Sequence, residues 1–141
     1  MSLVYWDTML FIYWLEAHPI HGPQVEQIQR RMAKRHDTLC TSVFGVGEIL
    51  TGAYKAHRNK EAGTIREFFE SGSVLLFPFD LKTADRYAVI RANHNVSAAD
   101  AIHLATASLA EVDVYLTNDK GVKKLLVPGI QFIAGLDGAI F

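Results

Sequence analysis

Four acidic residues stand at positions where carboxylate chemistry is possible. Asp7 directly follows the first apolar run of the chain, and Asp119 follows a later one, in the segment YLTNDKG. Asp100 opens the helix-like stretch SAADAIHLATA, and Glu48 lies within SVFGVGEIL. If folding brings these side chains together, their charges repel one another and a cation removes that penalty. Oxygen ligands without His or Cys favour Mg²⁺ or Mn²⁺ over zinc.

Each of these acids also has a purely structural explanation. Asp7 and Asp119 could be N-caps of the helices that they precede. Ser97 and Asp100 fit the capping box, in which a hydroxyl and a carboxylate three residues apart satisfy backbone N–H groups at a helix start. Glu48 could simply face water. Singly these explanations are at least as good as a metal site, but together they require four such residues to fall by chance at one edge of one sheet.

Alternating strands and helices must position the acids. The apolar stretch at 74–79 is continuous, which is typical of a strand covered on both faces. The alternation predicts one α/β domain over residues 1–141, with three layers and a mostly parallel central sheet of about five strands. The predicted strands are 3–6, 39–42, 74–79, 112–116 and 131–134, and the predicted helices are 8–17, 22–35, 43–57, 60–70, 81–92, 98–110 and 120–126.

The predicted sheet places three of the acids at one edge. In open parallel sheets, sites form beyond the carboxyl ends of the strands, where the winding direction reverses. If the strands at 3–6 and 112–116 are neighbours there, Asp7, Asp100 and Asp119 converge, with Glu48 alongside. The acid positions therefore predict a metal site at this edge.

Composition restricts the classes of protein that the chain can belong to. Hydrophobic residues make up 50% of the sequence and charged residues 21%, which indicates a globular domain rather than a disordered chain. The net charge of −1 excludes the bulk basic field of a dedicated nucleic-acid binder. A single cysteine, Cys40, excludes an internal disulfide and suits a reducing cytosol, and no apolar stretch is long enough to span a bilayer. We therefore expect a cytoplasmic protein without a membrane partner.

Four motifs in the same order resemble the PIN-domain ribonucleases, and the chain as a whole resembles the VapC-like toxins of prokaryotic toxin–antitoxin pairs. The segment VYWDTMLFIYWL resembles the opening strand, acid and helix of that family, and SVFGVGEIL its second-acid helix. SAADAIHLATA resembles its third-acid helix, and YLTNDKGVKKL its last acidic turn. The resemblance implies a three-layer α/β/α PIN-like fold, a metal-dependent endoribonuclease that is active on RNA, a homodimer, and inhibition by a cognate antitoxin.

The resemblance also implies roles for individual residues. Asp7, Asp100 and Asp119 correspond to ligands of Mg²⁺ or Mn²⁺, and Glu48 to an acid that activates water or also ligates. Thr117 is a hydroxyl partner of Asp119 on this interpretation. Many relatives carry an Asp-Phe pair two residues after the acid that matches Asp119, whereas this chain has Gly121-Val122. If that extra acid holds a second metal, this chain is expected to bind only one firmly.

Basic residues after the last acid predict a contact with the RNA backbone. Lys120, Lys123 and Lys124 have helical spacing directly after Asp119. The alternative explanation is a solvated helix face. Lysines placed beside a metal site would contact phosphates and position the strand without reading its sequence. Lys120, at the start of the short helix, is the candidate for this contact.

Two further features bear on function. His103 lies one turn after Asp100, but no suitably placed nucleophile accompanies it, so we interpret it as a packing or surface residue rather than a catalytic one. The helix at 8–17 is apolar all round, which predicts that an antitoxin segment or a second protomer covers part of it. The alternative is that this helix is deeply buried under the second and third helices. The alternatives to a toxin are a PIN-type RNA-processing nuclease without an antitoxin and a non-catalytic binding module with the same fold.

Overall fold

A computed structural model describes residues 1–137. Strands and helices alternate along most of the chain, as the sequence predicts. The strands are β1 (Leu3–Trp6), β2 (Thr38–Ser42), β3 (Leu75–Phe77), β4 (Val114–Leu116) and β5 (Phe132–Ala134), and the helices are α1 (Thr8–Leu15), α2 (His21–Arg35), α3 (Val43–Lys55), α4 (Asn59–Glu70), α5 (Leu81–Asn93), α6 (Ala98–Leu109) and α7 (Lys120–Lys123).

The five strands form one parallel sheet in the order β3-β2-β1-β4-β5. The chain starts in the centre at β1, winds outward through β2 to β3, and then returns to the other side of β1 at β4. The winding direction therefore reverses between β1 and β4, where Trp6 pairs with Leu116. This confirms the predicted α/β fold and places the crevice expected for a ligand beside the carboxyl ends of these two strands.

The sheet separates two hydrophobic cores because side chains alternate along each strand. Val4 and Trp6 of β1 pack into one core with residues of α1, α2, α3 and α4. Tyr5 lies on the opposite face, in a core with residues of α5 and α6. These two layers of helices hold the central strands rigidly, with Val4, Tyr5 and Trp6 fully buried.

The predicted boundaries require small corrections. Helix α1 ends at Leu15 rather than at Ala17, because Ala17 adopts a left-handed conformation with φ of 50°. Helix α3 ends at Lys55 rather than at His57 for the same reason, with φ of 57° at His57. Helix α7 is shorter than predicted, and β4 begins at Val114. The prediction that residues 74–79 are covered on both faces was wrong, since β3 is an edge strand and Leu75 is 47% exposed.

The apolar first helix is largely covered by the chain itself. Leu10 and Phe11 are fully buried, and Ile12, Tyr13 and Trp14 pack at the margin of the first core. Met9 and Leu15 stay exposed, at 42% and 41%. Among residues 1–137, no helix combines the length and the hydrophobicity needed to cross a membrane.

Candidate functional site

The four predicted acids come from four separate elements at the reversal of the sheet. Asp7 follows β1 directly, and its backbone N–H donates to the Leu116 carbonyl of β4 at 3.1 Å. Asp119 lies three residues beyond the end of β4 and begins α7. Asp100 lies in the first turn of α6, and Glu48 lies in α3. The parallel pairing of β1 and β4 is therefore what brings Asp7 and the Asp119 loop together.

Asp7 is both a helix cap and a partly buried acid. One carboxylate oxygen, Oδ1, accepts the Met9 backbone N–H at 3.0 Å, and the other, Oδ2, accepts the Thr117 hydroxyl. Burial raises the pKa of the Asp7 carboxyl above its ordinary value, although the Thr117 hydrogen bond and the nearby His103 oppose that shift. Folding therefore disfavours the ionised form of the Asp7 carboxylate relative to its protonated form.

Thr117 joins the loop after β4 to both acids. Its hydroxyl donates to Asp7, and the same oxygen accepts the backbone N–H of Asp119 at 3.1 Å. The sequence suggested that Thr117 would partner Asp119, and the structure gives its donated hydrogen bond to the carboxylate of Asp7 instead. The Asp119 carboxylate caps α7, where it accepts from Gly121 and Val122.

Asp100 forms only half of the predicted capping box. The Ser97 hydroxyl accepts the Asp100 backbone N–H at 3.1 Å. The reciprocal bond, from the Ser97 backbone N–H to the Asp100 carboxylate, is not formed among residues 1–137. Burial raises the pKa of Asp100, and the Ser97 hydroxyl lowers it by less. The negative charges of Asp119 and Glu48 raise this pKa further, so Asp100 lies close enough to each of them to be repelled.

Glu48 takes part in a hydrogen-bonded network that the sequence analysis did not predict. Its Oε1 atom accepts the Thr8 hydroxyl at 2.6 Å and lies 2.7 Å from His103 Nε2. Burial acts to raise the pKa of Glu48, but the hydrogen bonds from His103 and Thr8 outweigh it and leave the pKa below its ordinary value. Glu48 is therefore ionised at neutral pH.

His103 is buried, as one interpretation of the sequence expected, but it also contacts the site. Its Nδ1 atom lies 2.6 Å from the Tyr5 hydroxyl, and its Nε2 atom is 3.0 Å from Thr8 Oγ1. Because an ionised Glu48 can only accept, a proton belongs on Nε2, and Nδ1 accepts from Tyr5 when it carries no proton of its own. Burial raises the pKa of the Tyr5 phenol, which keeps its proton and remains a donor.

A glycine explains how the histidine reaches the glutamate. A Cβ atom at Gly45 would lie 2.9 Å from His103 Cε1 and 3.3 Å from Thr8 Oγ1. Gly47 and Gly52 of the same helix have open space around the corresponding position. Glycine inside a helix costs about 0.5–1 kcal/mol relative to alanine, so Gly45 is the one of the three with a packing reason. The sequence offers only the spacing of three residues from Gly45 to Glu48 and from Asp100 to His103, which does not show that the two pairs face each other.

The donor set suits a hard cation, although it is not a ready-made coordination shell. Carboxylate oxygens are the ligands that Mg²⁺ and Mn²⁺ prefer, and the repulsion felt by Asp100 is the kind that a cation relieves. No group of three or more His, Cys, Asp or Glu side chains within residues 1–137 is arranged to hold a metal ion as it stands. The oxygens of Asp7 are engaged by Met9 and Thr117, so ligation would compete with these bonds.

Comparison with known proteins identifies the fold. A sequence model described as the PIN domain matches residues 4–125. VapBC2 from Rickettsia felis, solved bound to a DNA fragment from its promoter, is similar, with a TM-score of 0.75 and 16% identity over 94% of this chain and 98% of that chain. VapBC-5 from Mycobacterium tuberculosis, of the VapBC family of toxin–antitoxin systems, gives a TM-score of 0.61 and 17% identity over 94% and 98% of the two chains.

A third similar structure is that of a toxin whose cleavage target is known. VapC20 from Mycobacterium tuberculosis, a Sarcin-Ricin loop cleaving toxin, gives a TM-score of 0.67 and 15% identity, over 79% of this chain and 86% of that chain. At these identities the structural likenesses establish the fold alone. No curated protein matches the sequence.

Proposed function

The chain belongs to the PIN domain family, and we propose that it is a metal-dependent endoribonuclease that serves as the toxin of a toxin–antitoxin pair. The observation that carries this proposal is the repulsion that Asp119 and Glu48 exert on Asp100, beside a partly buried Asp7 whose pKa is raised by burial. Raised pKa values such as those of Asp7 and Asp100 are characteristic of functional sites rather than of caps. The similar fold of a Sarcin-Ricin loop cleaving toxin supports RNA as the substrate.

Asp7, Asp100 and Asp119 are the proposed metal ligands. These carboxylates would hold Mg²⁺ or Mn²⁺, which would lower the pKa of a bound water and offset negative charge on the scissile phosphate. Thr117 holds the Asp7 carboxylate through its hydroxyl and holds the backbone of Asp119 through the same oxygen, so it fixes the spacing of these two acids. The loop after β4 thereby acts as one unit with the end of β1.

Glu48 is the proposed partner of the attacking water. Its lowered pKa keeps it ionised at neutral pH, which lets it accept a hydrogen bond from that water. The same lowered pKa makes it a weaker base than an ordinary glutamate. The main contribution of Glu48 is therefore to orient the attacking water. It would accept a proton from that water only once the pKa of the water has been lowered.

Lys120 is the proposed contact to the RNA backbone. It is exposed at the start of α7, directly after Asp119. The ammonium group of Lys120 would contact a phosphate next to the one being cleaved, and this contact would not depend on the RNA sequence. Single-stranded loops are the proposed targets, since their backbone can enter a narrow crevice.

The proposed protein partners are a cognate antitoxin and a second copy of the chain. Met9 and Leu15 leave apolar surface on α1 after folding, which an association would cover. Sedimentation of the purified chain tests this. We expect a dimer or a co-purifying complex, and a soluble, stable monomer would count against both partners.

The test of the nuclease is an assay on total RNA with and without Mg²⁺ or Mn²⁺, with the cut ends mapped. We expect cleavage at defined positions only when the metal is present, and its loss in Asp7→Asn, which retains a side chain able to cap α1. Asp85→Asn, an exposed acid of α5, is the matched control and should cut normally. Cleavage that persists in Asp7→Asn or without a divalent metal would refute the mechanism. Metal binding without any cleavage would indicate a non-catalytic binding module.

A further inference from the structure

The two hydrogen bonds to Glu48 converge on one oxygen. Thr8 and His103 both contact Oε1, at 2.6 Å and 2.7 Å, and among residues 1–137 no hydrogen bond reaches Oε2. The Glu48 side chain retains 31% exposure, whereas that of His103 retains 4%. One oxygen of the carboxylate is thus anchored to the protein, and the other is left for solvent or substrate.

His103 is itself held from several sides. The Tyr5 hydroxyl contacts Nδ1 at 2.6 Å, and the rings of Tyr5 and Phe44 pack edgewise against the imidazole, with centroids 5.8 Å and 5.7 Å away. Tyr5 is fully buried and stacks on Tyr115. Rotating the imidazole would break both of its ring-nitrogen bonds in a buried environment, so the ring has one orientation.

We propose that His103 is a positioning residue for Glu48, which it fixes through Oε1 so that Oε2 meets the attacking water. The proposal rests on the proposed nuclease function. Tyr5 sets the ring orientation and leaves the proton on Nε2, Thr8 supplies the second bond to Oε1, and Gly45 provides the space in which the ring lies. Groups that orient a functional side chain in this way typically change activity by about 10–100-fold when removed.

Substitution of His103 tests the bond directly. Leu removes the donor, whereas Gln retains an N–H group that can reach Glu48. With an RNA oligonucleotide that spans a mapped cut site, we expect His103→Leu to lower kcat about 10–100-fold with little change in KM, and His103→Gln to restore most of it. Equal rates for His103→Leu and the unaltered protein would overturn the proposal.

A pair of glycine substitutions tests the geometry without altering any polar group. Gly45→Ala places a methyl group against His103 Cε1, whereas Gly47→Ala, in the same helix, meets no atom within 4 Å. We expect Gly45→Ala to lower kcat at least as much as His103→Leu, and Gly47→Ala to cut at the unaltered rate. Should Gly45→Ala fold and cut like Gly47→Ala, the position of His103 does not control Glu48.

A spectroscopic measurement separates this inference from the nuclease proposal. In ¹H–¹⁵N spectra of the imidazole at neutral pH, we expect His103 to carry its proton on Nε2, in a hydrogen bond that is lost in Glu48→Ala and kept in Asp119→Asn. The absence of a proton on Nε2, or an unchanged signal in Glu48→Ala, would refute the bond. This result is obtained whether or not RNA is cleaved. An inactive protein with the expected spectrum would therefore refute the nuclease function and leave the His103–Glu48 contact established.

Discussion

Two aspartates cap helices that follow parallel strands, yet they experience opposite environments. Asp7 follows the central strand β1, and Asp80 follows the edge strand β3. Each accepts a threonine hydroxyl, from Thr117 and Thr83 respectively. Hydrogen bonds from Thr83 lower the pKa of the exposed Asp80, whereas burial raises the pKa of Asp7 despite the bond from Thr117.

The difference shows what separates a cap from a candidate ligand. At Asp80 the protein stabilises the ionised carboxylate, and nothing further is needed. At Asp7, and at Asp100 beside Asp119 and Glu48, the protein disfavours the same ionised form. A residue retained under that penalty gains from something that folding alone does not supply, and a cation is the simplest such partner.

The largest expected effect is on RNA cleavage. If Asp100 is a metal ligand, as we propose, Asp100→Ala should lower cleavage on the order of 100-fold or more, because a ligand contributes more than the groups around it. It should also abolish the increase in melting temperature that we expect Mn²⁺ to produce by binding the native state. Asp80→Ala, which removes a cap beyond the outermost strand β3, should retain both properties.

The stability of metal-free Asp100→Ala tests whether Asp100 serves only as part of a capping box. Loss of a cap costs about 0.5–2 kcal/mol. Asp100→Ala keeps the Ser97 hydroxyl bond to the backbone and removes a repelled charge, so its metal-free stability should be level or raised. A destabilised Asp100→Ala that still binds Mn²⁺ and cuts RNA would mean that Asp100 is only a cap.

The second largest expected effect is on the affinity for RNA. Lys120→Ala should weaken binding to all RNAs alike and reduce the slope of log affinity against log salt by about 1. Lys82, which lies two residues after Asp80, is the matched control because it also follows a capping acid. If Lys82→Ala and Lys120→Ala change the slope equally, the basic residues after Asp119 are a solvated face without a specific role.

The two threonine bonds should differ in their contribution to stability. Thr117 is 1% exposed and donates to a partly buried carboxylate, so Thr117→Val should destabilise the fold by about 1–3 kcal/mol, the range for leaving a buried polar group unpaired. Thr83→Val should cost less, because water can replace its bond to the exposed Asp80. Denaturant unfolding of both variants measures the difference. Equal losses of unfolding free energy would mean that Asp7 and Asp80 do not differ in environment.

The pH dependence of stability should have opposite signs at the two acids in metal-free protein. The lowered pKa of Asp80 means that its stabilisation is present above its ordinary value of 3.8 and is lost as the pH falls through the folded-state pKa. The raised pKa of Asp7 means that its ionised form costs stability, and that cost disappears as the pH falls from the folded-state pKa towards 3.8.

Melting temperatures across this range measure both contributions. The stability of Asp80→Asn relative to the unaltered protein should improve as the pH falls, and that of Asp7→Asn should decline. Curves that move in the same direction would show that the two carboxylates have similar environments.

Local patterns predicted most of the fold. Apolar runs and capping residues identified every strand and helix of residues 1–137, with errors at the ends such as Ala17 and His57. The coverage of β3 could not be predicted, because an apolar run has the same composition at the centre of a sheet and at its edge. Leu75 is exposed, and within residues 1–137 no strand pairs with the outer side of β3.

The sequence by itself determined which acids are candidates, which strands and helices carry them, and in what order these elements occur. Strands and helices can be predicted in this way because they depend mainly on neighbouring residues. Only the tertiary structure decided that Thr117 donates to Asp7 and that His103 reaches Glu48. The partners in these two contacts lie 110 and 55 residues apart in the chain. Such pairs arise from strand order and helix packing, which join distant segments and leave no local pattern. The space that Gly45 leaves for the imidazole has meaning only once α3 and α6 are packed together.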